Sequence, residues 1–398
     1  MKYLRWLLFP FSLLYGLAVI IRNWCYDAGI FKSYKFEKPI ISVGNLDVGG
    51  AGKSPMTEYL IRLLKNDCQL ATLSRGYGRE TKGYLELRAT GQEERAKNQE
   101  SRAKKQESTD NDQESPFTTH HSSLPTPHSP LTIAAQIGDE PSQFSQKFPD
   151  ITVAVCEKRV EGIKKLLHGH DLILLDDAYQ HRAVEPGLSI LLFDYNRLNE
   201  PHLLLPAGNL REPFSGRWRA QIMVVTKCPL QLTTDEREHA LQKIEALPYQ
   251  EVFFTSIAYQ PLRHLDGNPA AVVIDKDTTV FLLTGIANAS PLIRHLNRFT
   301  PHLIHHNYPD HHRFTLKNIA KLAAEFSACE TQKKLIVTTE KDAQRLEDSW
   351  FRSTLPAVDN IPVFVIPIKV EFLQDTGQQF NQLITGYVRK HTAYNSVH

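Results

Sequence analysis

An α/β fold is what the sequence predicts: a mostly parallel sheet with helices on both faces, followed by a second, smaller α/β domain. Two observations carry that reading. Short apolar runs recur without polar alternation at 39–43, 71–73, 151–155, 172–175, 188–193 and 222–226, with helix-compatible stretches between several of them. Unbroken runs of this kind mark strands covered on both faces, whereas a half-exposed strand alternates. A second set of runs, at 280–284, 335–339 and 363–368, lies beyond the polar turn Asp266-Gly267-Asn268, which sets a second domain apart.

Composition bounds the possibilities. The chain has 398 residues and 41% hydrophobic content, enough for two packed domains. Its 46 Lys and Arg nearly balance 44 Asp and Glu, which argues against a general nucleic-acid binder, because displacing counterions takes a large basic excess. The five cysteines are scattered, odd in number and never spaced C-x-x-C, so neither a disulfide framework nor a cysteine zinc site is indicated, and a reducing cytosol fits.

The first element is a run without charge from Trp6 to Ile21, flanked by Lys2, Arg5 and Arg22, with Trp6, Tyr15 and Trp24 near its ends. As a helix rising about 1.5 Å per residue it covers roughly 24 Å, short of a hydrocarbon core of about 30 Å. Pro10 and Gly16 weaken it further, and no small-x-small cleavage site follows. Residues 1–36 are therefore expected to form a helix lying in a membrane interface.

The next unit is expected over 37–260. Its first strand, Pro39-Ile40-Ile41-Ser42-Val43, runs into a glycine-rich turn and then a helix from about Pro55 to Lys65. Between about 91 and 130 the composition shifts to Gln, Glu, Lys, Ser, Thr and Pro, with near-repeats at Asn98 and Lys105. Such a segment cannot offset its own ordering entropy and reads as a disordered insertion, in which His120-His121 points to no metal site. The smaller α/β domain is expected over 261–398.

The turn reads Gly44-Asn45-Leu46-Asp47-Val48-Gly49-Gly50-Ala51-Gly52-Lys53-Ser54-Pro55. Glycines let backbone N–H groups curl toward phosphate oxygens, a lysine ammonium reaches the β and γ phosphates, and a hydroxyl at a helix N-terminus ligates Mg²⁺. Asp47 stands where the strict G-x-x-x-x-G-K-[ST] spacing wants its first glycine, but Gly49-Gly50-Ala51-Gly52-Lys53-Ser54 is the G-G-x-G-K-[ST] variant, correctly placed between strand and helix. A P-loop NTPase-type sheet that binds ATP and Mg²⁺ follows. Four apolar residues at 172–175 ending in Asp176-Asp177 supply the second metal element, an acidic strand end. Which aspartate does what is left open by the spacing.

With these in hand, the chain resembles the tetraacyldisaccharide 4′-kinase family. Gly44 to Pro55 matches the family's G-N-x-x-x-G-G-x-G-K-[TS]-P, including the non-glycine at 47. Ser74-Arg75-Gly76-Tyr77-Gly78 is similar to its R-G-Y segment and Gly138-Asp139-Glu140-Pro141 to its G-D-E-P. Asp176-Asp177-Ala178-Tyr179-Gln180-His181 resembles D-D-G-[FL]-Q-H with alanine for glycine, and Pro206-Ala207-Gly208-Asn209-Leu210-Arg211-Glu212 resembles P-A-G-P-L-R-E with one exchange. Gly285-Ile286-Ala287-Asn288, Pro309-Asp310-His311 and Thr339-Glu340-Lys341-Asp342 are similar to further signatures in the same order.

The resemblance implies phosphorylation of the 4′-hydroxyl of a lipid-linked disaccharide in lipid A biosynthesis, at the cytoplasmic face of the inner membrane. No nucleic acid and no obligate protein partner are implied. It adds Asn45 to the nucleotide-binding set of Gly49 to Pro55. It implies Asp139 as the base, with His311 orienting it, a carboxylate and imidazole pairing that suits proton acceptance; the choice of His311 over His312 comes from the family register. Arg75, Tyr77 and Arg211 become candidates for holding phosphate or sugar, since arginine forks match phosphate oxygens and tyrosine packs on saccharide. Catalysis would then need the second domain to close over the nucleotide. A zinc site from His305, His306, His311 and His312 lacks supporting cysteine or H-E-x-x-H spacing. The rival reading is a nucleotide-switch ATPase of the partition or metallochaperone type, which shares the loop but needs no acceptor hydroxyl.

Overall fold

The computed structural model describes residues 7–88, 133–346 and 363–395; the insertion expected at about 91–130 lies outside the described residues. In chain order the elements are α1 (Phe9–Asp27), β1 (Ile40–Gly44), α2 (Lys53–Leu64), β2 (Leu70–Ser74), β3 (Leu85–Leu87), α3 (Ile133–Ile137), α4 (Asp139–Lys147), β4 (Thr152–Val155), α5 (Arg159–Leu166), β5 (Leu172–Asp176) and β6 (Leu188–Asp194). There follow β7 (Ile222–Thr226), α6 (Thr234–Ile244), β8 (Glu251–Tyr259), β9 (Arg263–His264), β10 (Thr279–Thr284), α7 (Ser290–Leu296), β11 (Leu303–Asn307) and α8 (Leu316–Ala328). The last are β12 (Lys334–Thr339), α9 (Glu340–Ala343), β13 (Val363–Ile366), β14 (Ile368–Phe372) and α10 (Gly377–Asn395).

The first sheet runs β14-β8-β7-β6-β1-β5-β2-β4-β3, parallel except at its two edges. Its interior strands are buried on both sides, as their unbroken apolar runs require. Because side chains alternate, Ile41, Val43, Leu172 and Leu174 meet Met56 and Leu60 of α2, while Ile40, Ile173 and Leu175 meet Ile163 and Leu166 of α5. β1 lies between β5 and β6, so its carboxyl end delivers the glycine loop beside the Asp176 end of β5.

The second sheet, β11-β10-β12-β13-β9, is also covered twice. Leu292 and Leu296 of α7 pack on Val280, Leu282, Leu335 and Val337, and Ile319, Leu322 and Phe326 of α8 pack on Phe281, Leu283 and Ile336.

The run at 363–368, expected as one strand, is two strands in two different sheets. Pro367 has no N–H to extend a ladder, and at that residue the chain leaves β13 for β14, which pairs antiparallel with β8. α10 then buries Phe380, Ile384 and Val388 in the first core, so the end of the stretch assigned to 261–398 packs with the first sheet.

α1 starts at Phe9, which puts Pro10 in the first turn, where its missing N–H costs no hydrogen bond. One face is docked: Ser12, Gly16 and Val19 are buried, Ser12 Oγ accepts from the Ala207 N–H at 2.8 Å, and Tyr15 donates to the Arg211 carbonyl at 2.6 Å. The opposite stripe, Leu13, Leu14, Leu17, Ile20, Ile21 and Trp24, is exposed. Among the described residues no helix is long and apolar enough to cross a membrane.

Candidate active site

The glycine loop turns into α2 through Gly52 in the left-handed region, φ 84°, a conformation a Cβ would penalise. That turn aims Lys53 back into the loop, where its ammonium donates to Asn45 Oδ1 at 3.1 Å and the Gly49 carbonyl at 3.3 Å, and lies 3.7 Å from Asp177. Burial lowers the Lys53 pKa and Asp177 opposes the shift. Ser54 and Pro55 fill the first turn of α2, and Ala51 is buried beneath the loop.

Asp176 and Asp177 end β5 side by side. Asp176 is buried and accepts from Thr57 Oγ1 at 3.0 Å; burial, with Asp177 and Glu140 nearby, pushes it up to about 7. Burial acts on Asp177 too, but Lys53 and Arg211 outweigh it and hold that carboxyl below its usual range. Two adjacent carboxylates at the end of β5 and the Ser54 hydroxyl at the start of α2 are oxygen donors, the chemistry that suits Mg²⁺, a hard cation.

Arg211 points at this cluster. Its guanidinium donates to Asp177 at 2.8 and 3.3 Å and to Asn45 Oδ1 at 2.5 Å, so among its described contacts it braces the loop and the acidic pair. Arg75 and Tyr77 are exposed on the turn after β2.

Asp139 opens α4 on the first lobe. Gly138 precedes it at φ 97°, and a Cβ there would come within 2.9 Å of the Tyr77 carbonyl, so glycine lets the two turns touch. Across the cleft, His311 sits at φ 58° in the loop after β11, its Nδ1 3.2 Å from Asp139 Oδ2 and its ring 5.6 Å from that of Tyr77. Burial raises the Asp139 carboxyl, but His311 and Arg345 together bring it below the ordinary value. The four histidines considered as a zinc set go to separate partners: His305 to Thr284, His306 to Glu325, His311 to Asp139 and His312 to Asn318.

Two pairings bring the two clusters near each other. Glu140 is near enough to raise Asp176, and Lys341, 2.6 Å from Glu140, is near enough to lower Lys53.

Sequence reasoning missed several residues here. Arg345 contacts Asp139 directly. Lys227, in the left-handed region after β7, donates to the Gly50 carbonyl and, at 2.7 Å, to Asp194, while Thr226 donates to the Ala51 carbonyl at 2.8 Å. Arg159 is 3% exposed, and it adds with Arg75 and Arg22 to the burial that lowers His181 to about 4. None of these belongs to a local spacing pattern.

Comparison with known proteins agrees over nearly the whole chain. The family model described as Tetraacyldisaccharide-1-P 4'-kinase matches residues 4–100 and 117–388. A tetraacyldisaccharide 4'-kinase of Phocaeicola vulgatus is 40% identical over 98% of this chain and 96% of that protein. Another from Flavobacterium johnsoniae is 37% identical over 98% of this chain and 99% of that protein. The crystal structure of the "apo" form of LpxK from Aquifex aeolicus in complex with ATP superposes with a TM-score of 0.67 at 26% identity, covering 97% of this chain and 99% of that one.

Proposed function

The chain belongs to the tetraacyldisaccharide 4'-kinase family, and on that premise we propose that it transfers the γ-phosphoryl group of ATP to the 4′-hydroxyl of tetraacyldisaccharide 1-phosphate, a step of lipid A biosynthesis. The observation that carries the reading is the meeting of Asp139 and His311 from two lobes over a cleft floored by Lys53 and the paired aspartates.

Phosphoryl transfer asks the protein for positioning and charge neutralisation more than for covalent chemistry. Lys53 and the loop N–H groups from Gly49 to Ser54 hold the β and γ phosphates, with Asn45 and Arg211 fixing the loop. Ser54 and an aspartate of the 176–177 pair would hold Mg²⁺, which would supply positive charge to the phosphate oxygens. Asp139 accepts the proton of the 4′-hydroxyl as the new P–O bond forms, and His311 orients it. Arg75 and Tyr77, exposed on the turn after β2, are the candidates for contact with the sugar or its 1-phosphate.

A substrate carrying four acyl chains resides in a lipid surface, and the exposed apolar stripe of α1 suits the same surface. ATP places the reaction on the cytoplasmic side, so we assign the protein to the cytoplasmic face of the inner membrane, lying on it through α1.

The test is incubation with Mg²⁺, γ-labelled ATP and tetraacyldisaccharide 1-phosphate in detergent, following label into the lipid. Wild type is expected to transfer label and Asp139→Ala to fail. Hydrolysis that ignores the lipid, with no transfer, would move the assignment to a nucleotide switch.

A further inference from the structure

The hydrogen bonds that the Asp139 carboxylate accepts within the described residues all fall on one oxygen. Oδ2 accepts from Arg345 Nε at 2.8 Å and Nη2 at 2.6 Å, and lies 3.2 Å from His311 Nδ1. Oδ1 takes none of them.

Arg345 is no loose surface cation. Its side chain is 6% exposed, and Nη1 donates to the Gly285 carbonyl at 3.3 Å and to Asp342 Oδ1 at 3.2 Å. Asp342 is itself fully buried and anchored, accepting from Thr339 Oγ1 at 2.7 Å in the cap of α9. The guanidinium is thus locked to the second lobe before it reaches across the cleft to the first. Two donors on one carboxylate oxygen from a planar, pre-organised fork fix direction as well as charge.

We propose that Arg345 is a positioning residue for the phosphoryl transfer: it grips Oδ2 of Asp139, leaves Oδ1 turned to the acceptor hydroxyl, and makes that alignment depend on the two lobes being apposed. This rests on the reading of Asp139 as the base. His311 alone offers a single, longer contact, which orients a carboxylate less sharply than two short ones.

The charged and titratable groups facing this carboxylate are His311 with Asp310 behind it, Arg345 with Asp342 behind it, and the neighbouring Glu140–Lys341 pair. Burial pushes the Asp139 carboxyl up, and the hydrogen bonds and charges of His311 and Arg345 pull it down. Without Arg345, burial is opposed by His311 only, so the carboxyl rises and the acid limb of the rate profile moves to higher pH.

The experiment measures kcat and KM against pH for wild type, Arg345→Gln, Arg345→Lys and Asp139→Asn, with ATP and the lipid disaccharide. Arg345→Gln is expected to lower kcat on the order of 100-fold, as misaligned reacting groups do. Its KM for ATP should stay within about twofold of wild type, because the phosphate loop is untouched. Its acid limb should shift upward, and Arg345→Lys, which keeps the charge but not the fork, should return the limb while recovering only part of kcat. A wild-type acid limb and kcat in Arg345→Gln, beside an inactive Asp139→Asn, overturns the inference and leaves the base assignment standing. Full turnover in Asp139→Asn would instead remove the base assignment. Should thermal melting show Arg345→Gln unfolded, Arg345→Lys decides: full kcat there overturns the role of the fork.

Discussion

The phosphate loop gathers Asn45, Gly49 and Lys53 from a single turn of chain, whereas Asp139 is flanked by His311 and Arg345, which lie 172 and 206 residues away along the sequence. The loop's shape follows from local backbone, a glycine at positive φ and a helix start, so its phosphate-facing N–H groups are set by the first sheet and α2. The surroundings of Asp139 come into being only where the lobes touch. A kinase must keep ATP from water until the acceptor is present, and on the function proposed above a site divided this way would let binding precede the assembly of the reacting groups.

The division implies that the two regions fail differently. Lys53→Ala is expected to weaken binding of a non-hydrolysable ATP analogue and to cut transfer on the order of 100- to 1,000-fold, the usual cost of one lost charge stabiliser. Asp139→Ala should cut transfer on the order of 100- to 10,000-fold while leaving analogue binding as in wild type, because general bases act on the chemical step. Calorimetric titration of both variants beside their turnover separates the cases. Loss of analogue binding in Asp139→Ala would erase the distinction between the regions.

The same difference decided what could be read from the sequence. Lys53, Ser54 and the Asp176-Asp177 pair were legible because each sits at a fixed offset from a strand end, where spacing alone implies geometry. Asp139 and His311 carry no such offset, and each taken alone could as well cap a helix or sit in a polar loop; they were found through resemblance. Arg345 gave no signal, since nothing local distinguishes it from any arginine after a short helix. Arg211 was found, but as a substrate contact, and its grip on Asp177 and Asn45, 34 and 166 residues away, depends on a loop folded back over the site. The sheets were legible as apolar runs, but the passage of the chain between them at Pro367 was not, because one run serves two sheets.

A second test concerns the connection between the regions. Glu58 of α2, Lys147 of α4 and Glu340 of α9 form a buried chain of charges, with Lys147 Nζ 2.8 Å from Glu58 and 2.5 Å from Glu340. Lys147→Met would leave Glu340 without its ion-pair partner and Glu58 with only Arg62 as a cation, at a cost on the order of 3 kcal/mol in thermal or denaturant unfolding. Burial already raises the Glu340 carboxyl, Lys147 lowers it and Glu58 raises it, so the variant pushes it higher still. A carboxyl raised in the folded state binds its proton more tightly there than in the unfolded chain, which favours folding at low pH and is lost as pH rises through the folded value. The deficit of Lys147→Met should therefore be largest near neutral pH and shrink on acidification. A pH-independent deficit would mean that Lys147 acts by packing, and that the regions are joined by contact more than by charge.

The smallest effect is expected from the exposed face of α1, since the contact of this helix with the site, Tyr15 to the Arg211 carbonyl, lies on its docked face. Its exposed stripe at Leu13, Leu14, Leu17, Ile20, Ile21 and Trp24 follows helical spacing, while Ser12, Gly16 and Val19 hold the other face against the first lobe. Leu14→Glu with Leu17→Glu keeps good helix formers on the exposed side and leaves the docked face alone. Each leucine that inserts into lipid contributes about 1.5–3 kcal/mol, so the double variant should lose at least tenfold, roughly, in co-sedimentation with anionic vesicles. Turnover of substrate presented in those vesicles should fall with it, and turnover of substrate in detergent micelles should stay near wild type, since Lys53, Asp139 and Arg345 are unmoved. Equal losses in both presentations would place the stripe in contact with the substrate's acyl chains themselves, and would make α1 a third region of the site in place of an anchor beside it.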